Sequence, residues 1–161
     1  MKKFVFTLLL VFVCHLGYAQ GINGLFNEFG SEKNADCVKV SSFMMSLGKM
    51  FAGHDEDAKI IRKIKSIKVL DLESCTASVK ERFNKKVNKL NLKGYDELMR
   101  VNDEGEKVRV LMKTKKETIR ELLFVCTGKE DCTLVQINGK FTKEDIDKLV
   151  NQETGKKHGH R

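Results

Sequence analysis

The strongest constraint on the fold is a run of period-two sequence between residues 95 and 138. Within it, EKVRVLMK (106–113) places Val108, Val110 and Met112 on one face of a strand and basic side chains on the other. Polar turns divide the run into strands predicted over 96–101, 106–113, 119–126 and 132–138. Successive strands joined by short turns predict an antiparallel meander.

The clearest helix is predicted over residues 75–91. Val79, Phe83, Val87 and Leu90 recur there at the spacing of one helical face. A stripe of this kind requires an apolar surface to cover, and the predicted meander provides one. We therefore expect this helix to pack on the sheet.

The N-terminal half predicts a β-α-α-β unit. Strands are predicted over 36–41 and 66–72, and we expect them to be parallel, joined by a right-handed crossover. The other helices are predicted over 22–30, from Ser41 or Ser42 to about Phe51, near 58–64, and after a capping box at Thr142 and Asp145. The predicted fold is an α+β two-layer sandwich, with a mostly antiparallel sheet and helices packed on one face.

Several segments together resemble one protein family. They are LFNEFG (25–30), VKVSSFMMSLGKMF (38–51), IKSIKVLDLES (64–74), YDELMRVNDEGEKVRVLMK (95–113) and VQINGKFTKEDIDKL (135–149). In this order they resemble the uncharacterised exported bacterial proteins described as domain of unknown function 4252. The resemblance implies an envelope component of Gram-negative bacteria without an assigned activity, and it supplies no functional residues.

Residues 1–19 have the pattern of a secretory signal peptide. Two lysines precede an apolar run over 4–13, and Gly17 and Ala19 occupy the cleavage-site positions before Gln20. The apolar run is too short for a membrane span, which takes about 20 residues. We therefore expect export to the periplasm or cell envelope of a Gram-negative bacterium, or secretion.

The rest of the chain is expected to form one α+β domain over 20–150, followed by a flexible polar tail over 151–161. A lipoprotein signal is the alternative for the N-terminus, because Cys14 lies within it. Bulky Val13 precedes that cysteine, whereas lipidation takes place after a small residue. We therefore favour the ordinary signal peptide.

Four cysteines follow the signal, and an even number in an exported chain is typical of disulfides. Cys126 and Cys132 flank a turn between antiparallel strands, where opposed Cα atoms lie about 4.5–5.5 Å apart and suit a disulfide. We predict this one bridge. Cys37 and Cys75 are expected at opposite ends of parallel strands, and therefore reduced. Cys75 is the candidate for a catalytic thiol, but it has no Cys-x-x-Cys partner.

The chain is basic, with a formal net charge of +8, two units of which belong to the signal. Such an excess favours anionic partners. Arg82, Lys86, Lys89 and Lys93 recur along the predicted long helix, and such a row can follow a polyanion. No aromatic residues alternate with it for stacking on bases, so nucleic acid is not an expected partner. We favour a solvated face over a binding site.

No catalytic residue, metal site or cofactor site is predicted. His158 and His160 stand in a polar tail without a third ligand. The prediction is a non-catalytic exported binding or accessory module of the cell envelope, with an envelope protein or an anionic polymer as the candidate partner. Its expected working surface is the sheet face left without helices, including Arg109. Binding of an anionic polymer and thiol oxidoreduction are the alternatives.

Overall fold

The computed structural model describes residues 21–42, 44, 45 and 56–148. The elements are α1 (Ile22–Phe29), β1 (Asp36–Val40), α2 (Glu56–Lys63), β2 (Ile64–Asp71), α3 (Ala77–Asn88), β3 (Asp96–Asp103), β4 (Glu106–Lys115), β5 (Thr118–Thr127) and β6 (Thr133–Phe141). Residues 42, 44, 45 and 143–148 are also helical. The predicted signal, the tail and most of the predicted helix ending near Phe51 lie outside the described residues.

The six strands form one open sheet in the order β1-β2-β6-β5-β4-β3, and every neighbouring pair is antiparallel. The predicted meander corresponds to β3 through β6 and is confirmed. Helices pack on this sheet, so the predicted α+β class with a mostly antiparallel sheet is confirmed as well. The strands at the two edges are β1 and β3.

Two hairpin turns contain residues in the left-handed backbone region. In the β3–β4 turn, Glu104 has φ 41° and Gly105 has φ 92°. In the β4–β5 turn, Lys116 has φ 49° and Glu117 has φ 61°. Positive φ at both central residues defines the type I′ turn, whose twist matches that of the flanking strands. Only one of the four positions is glycine, the residue that adopts this conformation without strain.

The predicted parallel crossover between β1 and β2 is wrong. The register places Val40 opposite Ile67 and Asp36 opposite Asp71, so the two strands are antiparallel. The chain therefore leaves β1 and enters β2 at the same end of the sheet. Parallel pairing would have required the connection to cross to the opposite end of the sheet before β2 begins.

The main hydrophobic core lies between the sheet and the helices α1 and α3. Phe83 is fully buried there, with Val79 and Val87 beside it on α3, as the apolar stripe predicts. The Phe83 ring meets that of Phe29 edge to face, with 5.3 Å between centroids. From the sheet, Leu123 of β5 is fully buried in the same core. We call this side of the sheet the inner face.

A second, smaller cluster lies on the opposite side, which we call the outer face. Leu122 belongs to it, and adjacent strand residues point to opposite faces. Ile60 of α2 and Ile146 of the helical stretch 143–148 pack there beside Phe141. Gly139 permits this packing, because a Cβ at that position would stand 2.5 Å from the Phe141 ring.

The predicted capping box at Thr142 and Asp145 is confirmed. The Asp145 backbone N–H donates to Thr142 Oγ1 over 3.3 Å, and the Thr142 N–H donates to Asp145 Oδ2 over 2.7 Å. Lys63 Nζ, at the end of α2, also contacts the Asp145 carboxylate at 2.6 Å. These contacts join α2 to the start of the last helical stretch.

Candidate functional site

The outer face carries an apolar row that crosses the whole sheet. The strand registers place one residue of each strand in line. From edge to edge, the members of this outer row are Met99, Val110, Phe124, Val135, Val69 and Val38. In antiparallel sheets, the face that meets water commonly carries polar residues. This row contains no polar side chain.

Much of the outer row is accessible. Met99 is 50% exposed, Phe124 37% and Val38 55%, whereas Val110 is buried. The small cluster around Leu122 covers only the neighbouring part of the outer face. On the β3 side, Val101 is also 46% exposed. The outer row is therefore exposed at its two ends and at one interior position, and a sheet face with exposed apolar residues is a candidate interaction surface.

Arg109 does not lie on this surface. It was expected on the sheet face without helices, but the structure places it on the inner face. Its register partner is Val125, whose side chain is buried in the inner core. Arg109 Nε donates to Glu97 Oε2 over 2.8 Å, and Arg100 donates to both oxygens of the same carboxylate over 2.8 Å. Hydrogen bonds from Arg100 and then Arg109 lower the pKa of Glu97 to about 2. Arg109 is thus already occupied by an acidic partner.

Two members of the basic row, Arg82 and Lys86, also contact acidic side chains of the same chain. Arg82 forms an ion pair with Glu32 and stands over the Phe29 ring, 5.4 Å from its centroid. Lys86 Nζ lies 2.5 Å from Glu28 Oε2. Both contacts connect α3 to α1 or to the loop after it. Arg82 and Lys86 therefore help to hold α3 against α1 and its following loop, and this role does not require an external anion.

Lys89 and Lys93, the other two members of the basic row, are exposed. They follow at the end of α3 and in the loop beyond it. Of the four predicted residues, Arg82 and Lys86 therefore contact carboxylates of the same chain, and Lys89 and Lys93 are exposed.

The predicted Cys126–Cys132 disulfide is not formed, and both cysteines are free thiols. The register pairs Cys126 with Thr133 rather than with Cys132. This one-residue offset puts the two side chains on opposite faces. Cys132 Sγ turns into the inner layer, 3.3 Å from Asn84 Oδ1 and 3.4 Å from the Gly128 carbonyl oxygen.

Three of the four thiols are poor candidates for a catalytic nucleophile. The parallel-strand argument for leaving Cys37 and Cys75 reduced was wrong, because β1 and β2 are antiparallel. Burial raises the pKa of Cys75, Cys126 and Cys132 above the ordinary thiol value. A higher pKa reduces the thiolate fraction, and the thiolate is the reactive form.

A partly buried polar network joins Tyr95, Glu121 and Gln136, and the sequence did not predict it. Tyr95 Oη donates to Glu121 Oε1 over 2.6 Å, and Gln136 Nε2 donates to the same oxygen over 2.7 Å. Burial and then this hydrogen bond raise the pKa of Tyr95. Gln136 is 5% exposed, and its Oε1 has no hydrogen-bond partner among the described residues. The partners come from strands and loops distant in sequence, so no local pattern signals the network.

The part of the chain that the structure describes holds no group of three or more His, Cys, Asp or Glu residues arranged for a metal ion. Within the same residues, no helix combines the length and the apolar composition needed to cross a membrane. The histidines considered in the sequence, His158 and His160, lie outside the described residues.

The fold and this surface define a class: an α+β protein with an open antiparallel sheet, two helices (α1 and α3) over the inner face and an outer face that is apolar and only partly covered. The chain belongs to the family described as domain of unknown function (DUF4252), whose model matches residues 29–149. The resemblance inferred from the sequence segments is thereby confirmed. No curated protein and no solved structure matches the chain.

Proposed function

We propose that this protein is an exported, non-catalytic binding module of the cell envelope, and that the outer face is its binding surface. The observation that carries the proposal is the outer row, which is apolar across all six strands and exposed at Met99, Phe124 and Val38. Exposed apolar residues on a sheet face favour association with another macromolecule. The cysteine environments, in contrast, offer little support for chemistry.

The expected partner is a protein with an apolar surface. The outer row contains no charged side chain that an ionic ligand would need. Interface cores are depleted in charged residues and enriched in Met and aromatic side chains, which Met99 and Phe124 match. A sheet face also offers a broad, gently twisted surface rather than a pocket for a small molecule.

Affinity capture with matched variants tests this proposal. The wild-type protein, Phe124→Ser and a control Lys89→Ser serve as baits in envelope extract. A partner retained by the wild type and the control but lost with Phe124→Ser supports the outer face as the binding surface. Equal capture by all three baits contradicts it. Circular dichroism checks that both variants remain folded.

Export rests on the signal pattern of residues 1–19, and it has a separate test. Mass spectrometry of the protein recovered from its natural host measures the N-terminus. We expect the mature chain to begin at Gln20, in the periplasmic, envelope or secreted fraction. A cytoplasmic protein that retains residues 1–19 would refute the proposal of export.

Polyanion binding through Arg82, Lys86, Lys89 and Lys93 is the second candidate. The net charge of +8 and the exposure of Lys89 and Lys93 support it. The ion pairs of Arg82 and Lys86 with α1 and its following loop weigh against it. If it holds, binding to lipopolysaccharide, heparin or DNA falls steeply between low and moderate salt. No binding at low salt excludes it.

A further inference from the structure

We propose that β3 is an interface at which a second copy of this chain pairs antiparallel, so that two six-stranded sheets join edge to edge. β3 is the last strand of the sheet, with β4 as its neighbour on one side. All eight of its residues are exposed. An edge strand presents a row of unpaired backbone N–H and C=O groups, which is a template for pairing with another strand.

A bulge determines which β3 side chains share a face. Glu97 pairs with Leu111 and Met99 with Val110, so Leu98 is an extra residue in the ladder. Without the bulge, residues three apart in a strand would point to opposite faces. With it, Glu97 and Arg100 lie on the same face, as their hydrogen bonds confirm.

The two-fold pairing of β3 follows from this geometry. In an antiparallel pair related by a two-fold axis normal to the sheet, directly opposed residues lie on the same face. Taking Met99 as the centre places Met99 opposite Met99 of the second copy. With Leu98 left out of the new ladder, as it is out of the ladder with β4, Glu97 of one copy faces Arg100 of the other, and the reverse pair forms by symmetry. The β3 edge is therefore self-complementary: opposite charges face each other, and an apolar residue faces an apolar residue at the centre.

The other edge strand lacks this property. β1 is five residues long and pairs with β2 without a bulge, so Asp36 and Lys39 lie on opposite faces. A two-fold pairing centred on Val38 would place Lys39 opposite Cys37, with no opposite charge to meet it. The charge pattern therefore selects β3 over β1, although Val38 and Met99 are similarly exposed, at 55% and 50%.

The pairing goes beyond the proposed binding function and does not depend on it. In the dimer, the outer rows of the two copies meet at Met99 and form one continuous apolar row. The Glu97 carboxylate, which Arg100 and Arg109 hold within one chain, gains a third basic neighbour from the second copy.

Sedimentation velocity over a micromolar concentration series measures the association. We expect a concentration-dependent dimer for the wild-type protein. Arg100→Glu places like charges opposite each other twice per dimer and should weaken dimerisation about tenfold or more. The double variant Glu97→Arg/Arg100→Glu restores opposite charges across the interface and should recover the dimer. The control Lys39→Glu, on β1, should behave as the wild type.

Cysteine cross-linking tests the register. Opposed Cα atoms about 4.5–5.5 Å apart permit a disulfide, so Met99→Cys should give a covalent dimer after copper–phenanthroline oxidation. Val38→Cys, equally exposed and with the same native cysteines, is the matched control. A wild-type monomer at all concentrations overturns the proposal. So does a dimer that cross-links through position 38 rather than 99, or one insensitive to Arg100→Glu.

Discussion

At the scale of single residues, the Asp145 carboxylate connects α2 to the start of the last helical stretch. It accepts from the Thr142 backbone and from Lys63, while remaining 8% exposed. Burial alone would raise the pKa of Asp145, but the hydrogen bonds from Lys63 and Thr142 outweigh it, and the pKa is lowered. Because the folded state favours the charged form, this carboxylate stabilises the protein when it is ionised.

We expect Asp145→Asn to lower the free energy of unfolding by about 1–2 kcal/mol at neutral pH, since an ion pair and part of a cap are lost. The lowered pKa fixes the direction of the pH dependence. The contribution is complete above the ordinary Asp pKa of 3.8 and is lost as the pH falls through the lower folded value. Urea titrations of both proteins between pH 7 and pH 3 measure it. A difference that stays constant or grows on acidification contradicts this role.

The cysteines give a second prediction at the residue scale. Because burial raises the pKa of Cys75, Cys126 and Cys132, we expect each of them to react with iodoacetamide more slowly at neutral pH than a free thiol. Peptide mass spectrometry after timed alkylation gives the rate at each site. A cysteine that titrates below about 8.5 would restore the thiol oxidoreductase as a candidate.

At the scale of elements, the local sequence predicted where strands and helices occur. It did not predict that β1 and β2 pair antiparallel. The predicted helix over 22–30 corresponds to α1, and the strand predicted over 36–41 corresponds to β1. These features depend on alternation and turn residues within a few positions. The antiparallel pairing of β1 with β2 depends instead on the path of the whole connection between them, which no short window contains.

The β3–β4 hairpin provides a prediction for one element. Glu104 has positive φ without being glycine, and Asn followed by Gly is the preferred type I′ pair. We expect Glu104→Asn to stabilise the protein by about 0.5–1 kcal/mol, and Gly105→Ala to destabilise it by about 1 kcal/mol or more. Thermal unfolding monitored by circular dichroism compares the two. If both variants shifted the unfolding temperature equally and in the same direction, the backbone conformation of this turn would not determine stability as proposed.

At the scale of the whole molecule, the sheet has two apolar faces with unequal cover. The inner face is closed by α1 and α3, whereas the outer row is exposed at three of its six positions. Two phenylalanines represent this difference. Phe83 is fully buried under the helical layer, and Phe124 on the outer face is 37% exposed.

We expect Phe83→Ala to cost about 3–5 kcal/mol of unfolding free energy, because it leaves a cavity in the inner core. Phe124→Ala should cost about 1–2 kcal/mol, since more than a third of that residue already meets water. Chemical denaturation of the two variants tests the comparison. Similar losses would mean that the outer face is packed as tightly as the inner core, and would argue against its use in binding.

The sequence by itself determined the meander, the apolar stripe of α3 and the capping box at Thr142, because periodicity and capping act over a few residues. It also determined the family, through segments spread over 29–149. Only the tertiary structure decided that Arg109 lies on the inner face and that Cys126 and Cys132 point to opposite faces. Alternation shows which residues share a face, but not which face the helices cover. That choice, and the one-residue register at Cys126, depend on contacts between segments far apart in the chain.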